Sequence, residues 1–191
     1  MIERFLRRPQ TAGEVAADAV RALGIASVLV AALGFGATDA GIVAFVTPAL
    51  LVPRFIGVRV GFDLAFCLTL LVAAWSNVLD LYTTVPWWDV PVHLLCTGLL
   101  AAMAYLVLER LGMVGGPGAR HPRATAVIVT GVSGLALGAV WEMVEWFGRA
   151  VIDPTIFVGY DDTIGDLAVD AVGSLVAGVI VATVPLLSPR A

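Results

Sequence analysis

Gly159-Tyr-Asp-Asp-Thr-Ile-Gly-Asp-Leu-Ala-Val-Asp-Ala-Val-Gly173 is the stretch on which the reading of the chain turns. Asp162, Asp166 and Asp170 recur at four-residue steps, so on an α-helix the three carboxylates share one face. From Ala171 to Leu187 the chain then carries no charged residue at all. An ionised side chain in hydrocarbon costs roughly 2.5 to 3.5 kcal/mol even on the lenient insertion scale. A helix that keeps three acids at the mouth of such a segment must gain something from them.

The rest of the chain supplies the surroundings. Of its 191 residues 60% are hydrophobic and only 14% charged, and the mean hydropathy is +0.96. That composition lies outside the range of soluble domains and identifies an integral membrane protein. A spanning helix needs about 20 apolar residues, and the chain offers six candidates, roughly 18–37, 40–58, 61–81, 87–108, 124–147 and 163–187. The predicted fold is therefore all-α, a polytopic bundle of about six transmembrane helices forming a single domain over 1–191. Pro48 and Pro53 interrupt the second span and predict a kink. Gly112 to Arg123, with a Gly-Gly-Pro-Gly core and a His-Pro pair, reads as a flexible loop. Cys67 and Cys96 sit in apolar runs without a metal-type spacing and read as small core residues. The first apolar run exceeds the length of a signal-peptide core, so a retained span is expected.

Orientation follows from the arginines, which account for all eleven basic residues. With the N-terminus inside, Arg4, Arg7, Arg8, Arg21, Arg54, Arg59, Arg110, Arg120, Arg123 and Arg190 collect on the cytoplasmic side, leaving only Arg149 outside. Both termini are then cytoplasmic. Asp80, Asp89, Glu142, Glu145, Asp153, Asp161, Asp162, Asp166 and Asp170 come out at or near the outer face. Trp87, Trp88, Trp141, Trp146, Tyr82 and Tyr160 lie at the same level and read first as an interfacial aromatic belt. No basic patch suggests nucleic acid.

Three helices contribute to one polar constellation. Asp89, His93 and Thr97 follow one another at i, i+4 spacing, and Gly134, Gly138, Glu142 and Glu145 form a second stripe whose small residues allow close helix approach. At 1.5 Å per residue, His93, Glu142 and Asp166 all lie within about two turns of the outer boundary. So many uncompensated acids would repel one another, and a divalent cation is the simplest compensation. The candidate metal ligands are Asp89, His93, Glu142, Glu145, Asp162, Asp166 and Asp170. Oxygen ligands favour Mg²⁺, Mn²⁺ or Ca²⁺, and His93 admits Zn²⁺ or iron. His93 and Glu142 are the candidate catalytic residues. Plainer roles stand beside these. Asp161 and Asp162 suit a helix start, Asp80 suits a headgroup position, Asp63 reads as a cap, His93 can be a satisfied core histidine, and the acids together can form a structural network. His121 has no sequence partner and is assigned nothing.

Trp87-Trp-Asp89-x-x-x-His93, Gly138-x-x-Trp141-Glu142-x-x-Glu145-Trp146 and Gly159-Tyr-x-Asp162-Thr-x-x-Asp166-Leu-x-x-Asp170-x-x-Gly173 together resemble the YjdF-like family of bacterial inner-membrane proteins. The resemblance implies a multi-pass protein of the bacterial plasma membrane and brings no reaction with it. The last two segments are also similar to VanZ-like membrane proteins associated with glycopeptide resistance, with Asp170 at the position those proteins fill with Asn. The aspartate spacing echoes the CDP-alcohol phosphotransferases, but their Asp-Gly-x-x-Ala-Arg portion is absent.

Three functions compete. The leading one is a metal-dependent hydrolase or transferase with an outward-facing acidic pocket, acting on a membrane lipid or lipid-linked phosphate. The second is a non-catalytic envelope or resistance-type binding protein. The third is a cation- or proton-coupled carrier, against which stands the nearly apolar composition of the inner halves of spans four to six. The sequence leaves the oligomeric state open.

Overall fold

The computed structural model describes residues 2–115, 120–154, 156 and 158–189. Arg190, and Gly116, Pro117 and Gly118 of the expected loop, lie outside the described residues. Among the described residues every named element is helical, as lipid requires of backbone that must satisfy its own hydrogen bonds. A short helix α1 (Ile2–Leu6) precedes α2 (Ala12–Gly34), α3 (Ala37–Ile56), α4 (Val60–Val78), a single turn α5 (Leu81–Thr84), α6 (Asp89–Arg110), α7 (Pro122–Phe147) with a π-helical turn at Gly148–Ile152, and α8 (Tyr160–Thr183). Six of these segments are long and apolar enough to cross a bilayer. The first begins at Ala12, ahead of the apolar run, because Thr11 caps it by accepting a bond from the Glu14 N–H at 3.2 Å. Hydropathy marks where a helix enters lipid, and capping marks where it starts.

The chain divides into two compact units, 1–88 with 186–191, and 89–185. The first packs α2, α3 and α4 around Ala31, Val43, Ala74 and Val78. Helix α3 runs through both prolines. Pro48 cannot donate to the Ala44 carbonyl, and the Thr47 hydroxyl does so instead at 2.8 Å. Gly57 ends the helix in the left-handed conformation, φ 73°. Residues 186–188 return to this corner, where the Arg59 N–H donates to Leu186 O at 2.7 Å and the Ser188 N–H to Gly57 O at 2.9 Å.

Asp63 is not a cap. It lies in the first turn of α4 and pairs with the buried Arg21 of α2. Arg21 also donates to Asp18 at 2.9 Å and to the Leu50 carbonyl at 2.8 Å. A guanidinium enclosed by an apolar helix group needs this many acceptors, because an unpaired buried charge is far costlier than a paired one. Asp80 adopts φ 55° between α4 and α5, and the hydroxyls of Thr83 and Thr84 donate to its carbonyl.

In the second unit α8 packs against both α6 and α7. Contact is closest at glycines: a side chain at Gly98 would meet the Gly173 carbonyl, and one at Gly178 would meet Val127. Such approach is how helices associate in lipid, where apolar side chains gain little from one another. The residue pairs fix the directions. Gly138 faces Asp170 and Gly134 faces Ser174, so α7 and α8 are antiparallel, while Leu94 with Gly173 and Gly98 with Ala177 make α6 and α8 parallel.

Candidate metal centre

The polar constellation is assembled at one end of the second unit by the starts of α6 and α8 and the end of α7. Asp89 is the first residue of α6 and is half-buried. His93, one turn on, is buried with its Nε2 3.5 Å from Asp89 Oδ1. Asp166 of α8 is buried beside them, and one ligand atom each from Asp89, His93 and Asp166 lie within 4.8 Å of one another. Two donors bound to a common ion at about 2.0–2.6 Å are separated by at most about 5 Å, so the three can share one cation.

Asp170 sits one turn deeper and acts differently. It is 0% exposed, its Oδ1 lies 3.2 Å from His93 Nδ1, and the Thr97 hydroxyl donates to the same oxygen at 2.6 Å. It therefore holds the face of the imidazole turned away from Asp89. A carboxylate on the second ring nitrogen is how a ligating histidine is commonly oriented. The other oxygen, Oδ2, lies where a side chain at residue 138 would begin, and only glycine leaves that space.

Glu142 is buried on α7, its Oε1 has no hydrogen-bonding partner among the described residues, and it lies within electrostatic reach of His93 and Asp170. Thr163 of α8 hydrogen-bonds its side chain. The other two expected ligands stand apart from the close group of three. Glu145 is half-buried and accepts a bond from Trp141 Nε1 at 2.9 Å. Asp162 is half-buried in the first turn of α8, whose N-cap is Gly159 with no side-chain cap bond, and Asp161 is exposed. Acids there suit the positive end of the helix dipole. Arg149 is exposed and donates to the Ile156 carbonyl at 2.6 Å. Trp87, Trp146 and Tyr160 are largely exposed, which suits interfacial anchoring.

Two participants, Ser174 and Thr130, escape a reading by motif, and Thr163 stands in the third motif without an assigned role. Ser174 lies four residues beyond Asp170, and Thr130 lies on the i, i+4 row that carries Glu142, Gly138 and Gly134. That row was the available signal.

No curated protein and no solved structure matches the chain significantly. One family does, and it is the YjdF-like family to which the three motifs pointed. Over residues 19–185, which include every residue of the candidate centre, the chain matches the family described as "Predicted membrane protein (DUF2238)", and it belongs to that family.

Proposed function

We propose that the second unit binds a divalent cation at Asp89, His93 and Asp166 and acts as a hydrolase or transferase on a membrane lipid or lipid-linked phosphate. The observation that carries this reading is the close group of three donors backed by Asp170. Three protein ligands leave coordination positions open, the pattern of catalytic sites; structural zinc sites close all four. The donor set is one imidazole and two carboxylates, which suits Mn²⁺, Zn²⁺ or iron as well as Mg²⁺ or Ca²⁺. A bound cation would neutralise the acids and polarise a phosphoryl oxygen.

The residues then divide their tasks. Asp170 and Thr97 hold the His93 ring so that Nε2 faces Asp89 and Asp166. Glu142, with Oε1 unpartnered, is the group best placed to accept a proton from an attacking water or alcohol. His93 has both ring nitrogens engaged and is better read as a ligand than as the base. A phosphate-bearing substrate would be held through the cation, because a site this acidic attracts anions only through it. The excess of arginine at the opposite helix ends supports a site facing the outer leaflet of a bacterial plasma membrane.

Metal analysis of the purified protein tests the reading. The expected result is a stoichiometric divalent ion, lost in an Asp89→Asn, Asp166→Asn double variant that still folds. A wild-type protein free of metal after growth in metal-replete medium would end it. A bound ion without turnover of phospholipid or polyprenyl phosphate returns the choice to the non-catalytic binding role.

A further inference from the structure

The second unit holds a polar feature that the cation site does not use. Hydroxyls inside apolar helices ordinarily bond back to a carbonyl of their own helix. Ser27, Thr47, Ser76 and Thr183 do so, onto Gly24, Ala44, Val72 and Val179. Thr130 and Ser174 do not. Both are 0% exposed, and neither hydroxyl oxygen has a hydrogen-bonding partner among the described residues.

Their placement continues the site inward, one helical turn at a time. Below Asp170 on α8 comes Ser174, whose Oγ occupies the space a side chain at Gly134 would take, with Ala101 of α6 closing the same level. One turn deeper, Gly178 of α8 lies against Val127 and Thr130 of α7. Tyr105, four residues beyond Ala101 on α6, falls at that level by register. Tyr105 is 5% exposed, and its hydroxyl lies 3.5 Å, and Glu109 Oε1 3.4 Å, from the position a Gly115 side chain would start from. From Glu142 to Thr130 is twelve residues (142 − 130), or about 18 Å of helix at 1.5 Å each. Tyr105 and Glu109 extend the polar series towards the far end of the unit.

A buried hydroxyl left without a partner is costly, and here such hydroxyls occupy successive turns of one interface. Hydroxyls both donate and accept, and a single water bridging two of them would satisfy both. The tight seats at Gly134 and Gly138 leave no pore for a metal ion. A proton needs only hydroxyls and single bridging waters.

We infer that the second unit conducts protons between the acidic site and Glu109 along Ser174, Thr130 and Tyr105, with water spanning the intervals. Each step takes a proton onto an oxygen lone pair and releases another from the same O–H, so charge moves while the heavy atoms stay. Among the described residues, the charged and titratable groups near the route include Asp170 of α8, Glu142 of α7, and His93, Cys96, Tyr105 and Glu109 of α6. No change of charge at Asp170 or at the three proposed ligands is required, and the route stands whether or not a metal is bound.

The test uses the full chain in proteoliposomes loaded with a pH-sensitive dye, driven by a valinomycin-set potassium potential. Wild-type vesicles acidify faster than protein-free vesicles. Thr130→Val, which keeps the shape and loses the O–H, abolishes the excess flux, as does Ser174→Ala, whereas Thr130→Ser retains it. Unfolding midpoints and gel-filtration profiles like those of the wild type show that the variants fold. Wild-type flux equal to that of protein-free vesicles overturns the inference, and so does undiminished flux in folded Thr130→Val. A metal-free wild type that still conducts ends the cation-site reading alone.

Discussion

Gly138→Ala separates a built site from a loose gathering of acids. A methyl group at residue 138 would fall on Asp170 Oδ2, with Asp170 Cγ and Cβ close behind. Asp170 is fully buried and has nowhere open to move. Displaced, it weakens the 2.6 Å bond from Thr97 and the 3.2 Å contact with His93. Alanine improves helix propensity by about 1 kcal/mol, overpacking costs about 1–3 kcal/mol, and each bond to a charged acceptor is worth about 1.5–3 kcal/mol. With the bonds only partly lost, the net effect is a destabilisation of about 2–4 kcal/mol. Gly165→Ala is the internal control. Nothing lies within 4 Å of its added carbon, so only the propensity gain remains. Asp170→Ala removes Oδ2 and Cγ and leaves only Cβ nearby, so in that background Gly138→Ala should be close to neutral, giving a coupling of about 2–3 kcal/mol across the double-mutant cycle. Thermal unfolding in detergent, followed by tryptophan fluorescence, reads these differences as roughly 2–4 °C per kcal/mol for a chain of this size. If Gly138→Ala melts with Gly165→Ala, or the cycle shows no coupling, the seating of Asp170 against α7 is wrong.

Arg21→Met strands Asp63 in the first unit and should cost about 3–5 kcal/mol by the same unfolding assay, while an Arg21→Met, Asp63→Leu pair should recover most of that loss. A single variant as stable as the wild type would show that the buried pair does not form. In a cysteine-free background, Ala150→Cys, at an exposed position after α7, should react with a membrane-impermeant maleimide on intact cells and Arg120→Cys only after permeabilisation. The reverse pattern would invert the orientation drawn from the arginines.

The spans and the polar stripes were legible because both are local. Hydropathy sums over a window, and i, i+4 recurrence needs only one helix. What crosses between helices was not local. Asp162, Asp166 and Asp170 share a face by spacing, but four residues turn a helix by 400°, so the row drifts by about 40° at each step and about 80° from Asp162 to Asp170. Asp166 consequently joins Asp89 and His93, Asp170 meets the far side of the imidazole, and Asp162 stays at the helix mouth. Arg21 and Asp63 show a different obstacle. Each serves well as a positional signal, the arginine for sidedness and the aspartate for a helix start, and those readings hide a pairing across 42 residues of sequence.

Composition also concealed the inner hydroxyls. The deep halves of α6, α7 and α8 are nearly apolar when counted, and a count gives Thr130 and Ser174 no weight. Packing adds what a count omits, because these few polar atoms lie where the helices are closest. The glycines of α7 explain why. Gly134 and Gly138 predict that another helix can come near, and α8 does. The room they leave is taken up by Ser174 Oγ and Asp170 Oδ2. The same absence of a Cβ that brings α7 and α8 together therefore seats a hydroxyl and a carboxylate oxygen between them. Any residue larger than glycine at 134 or 138 forces a choice between close helices and the polar row.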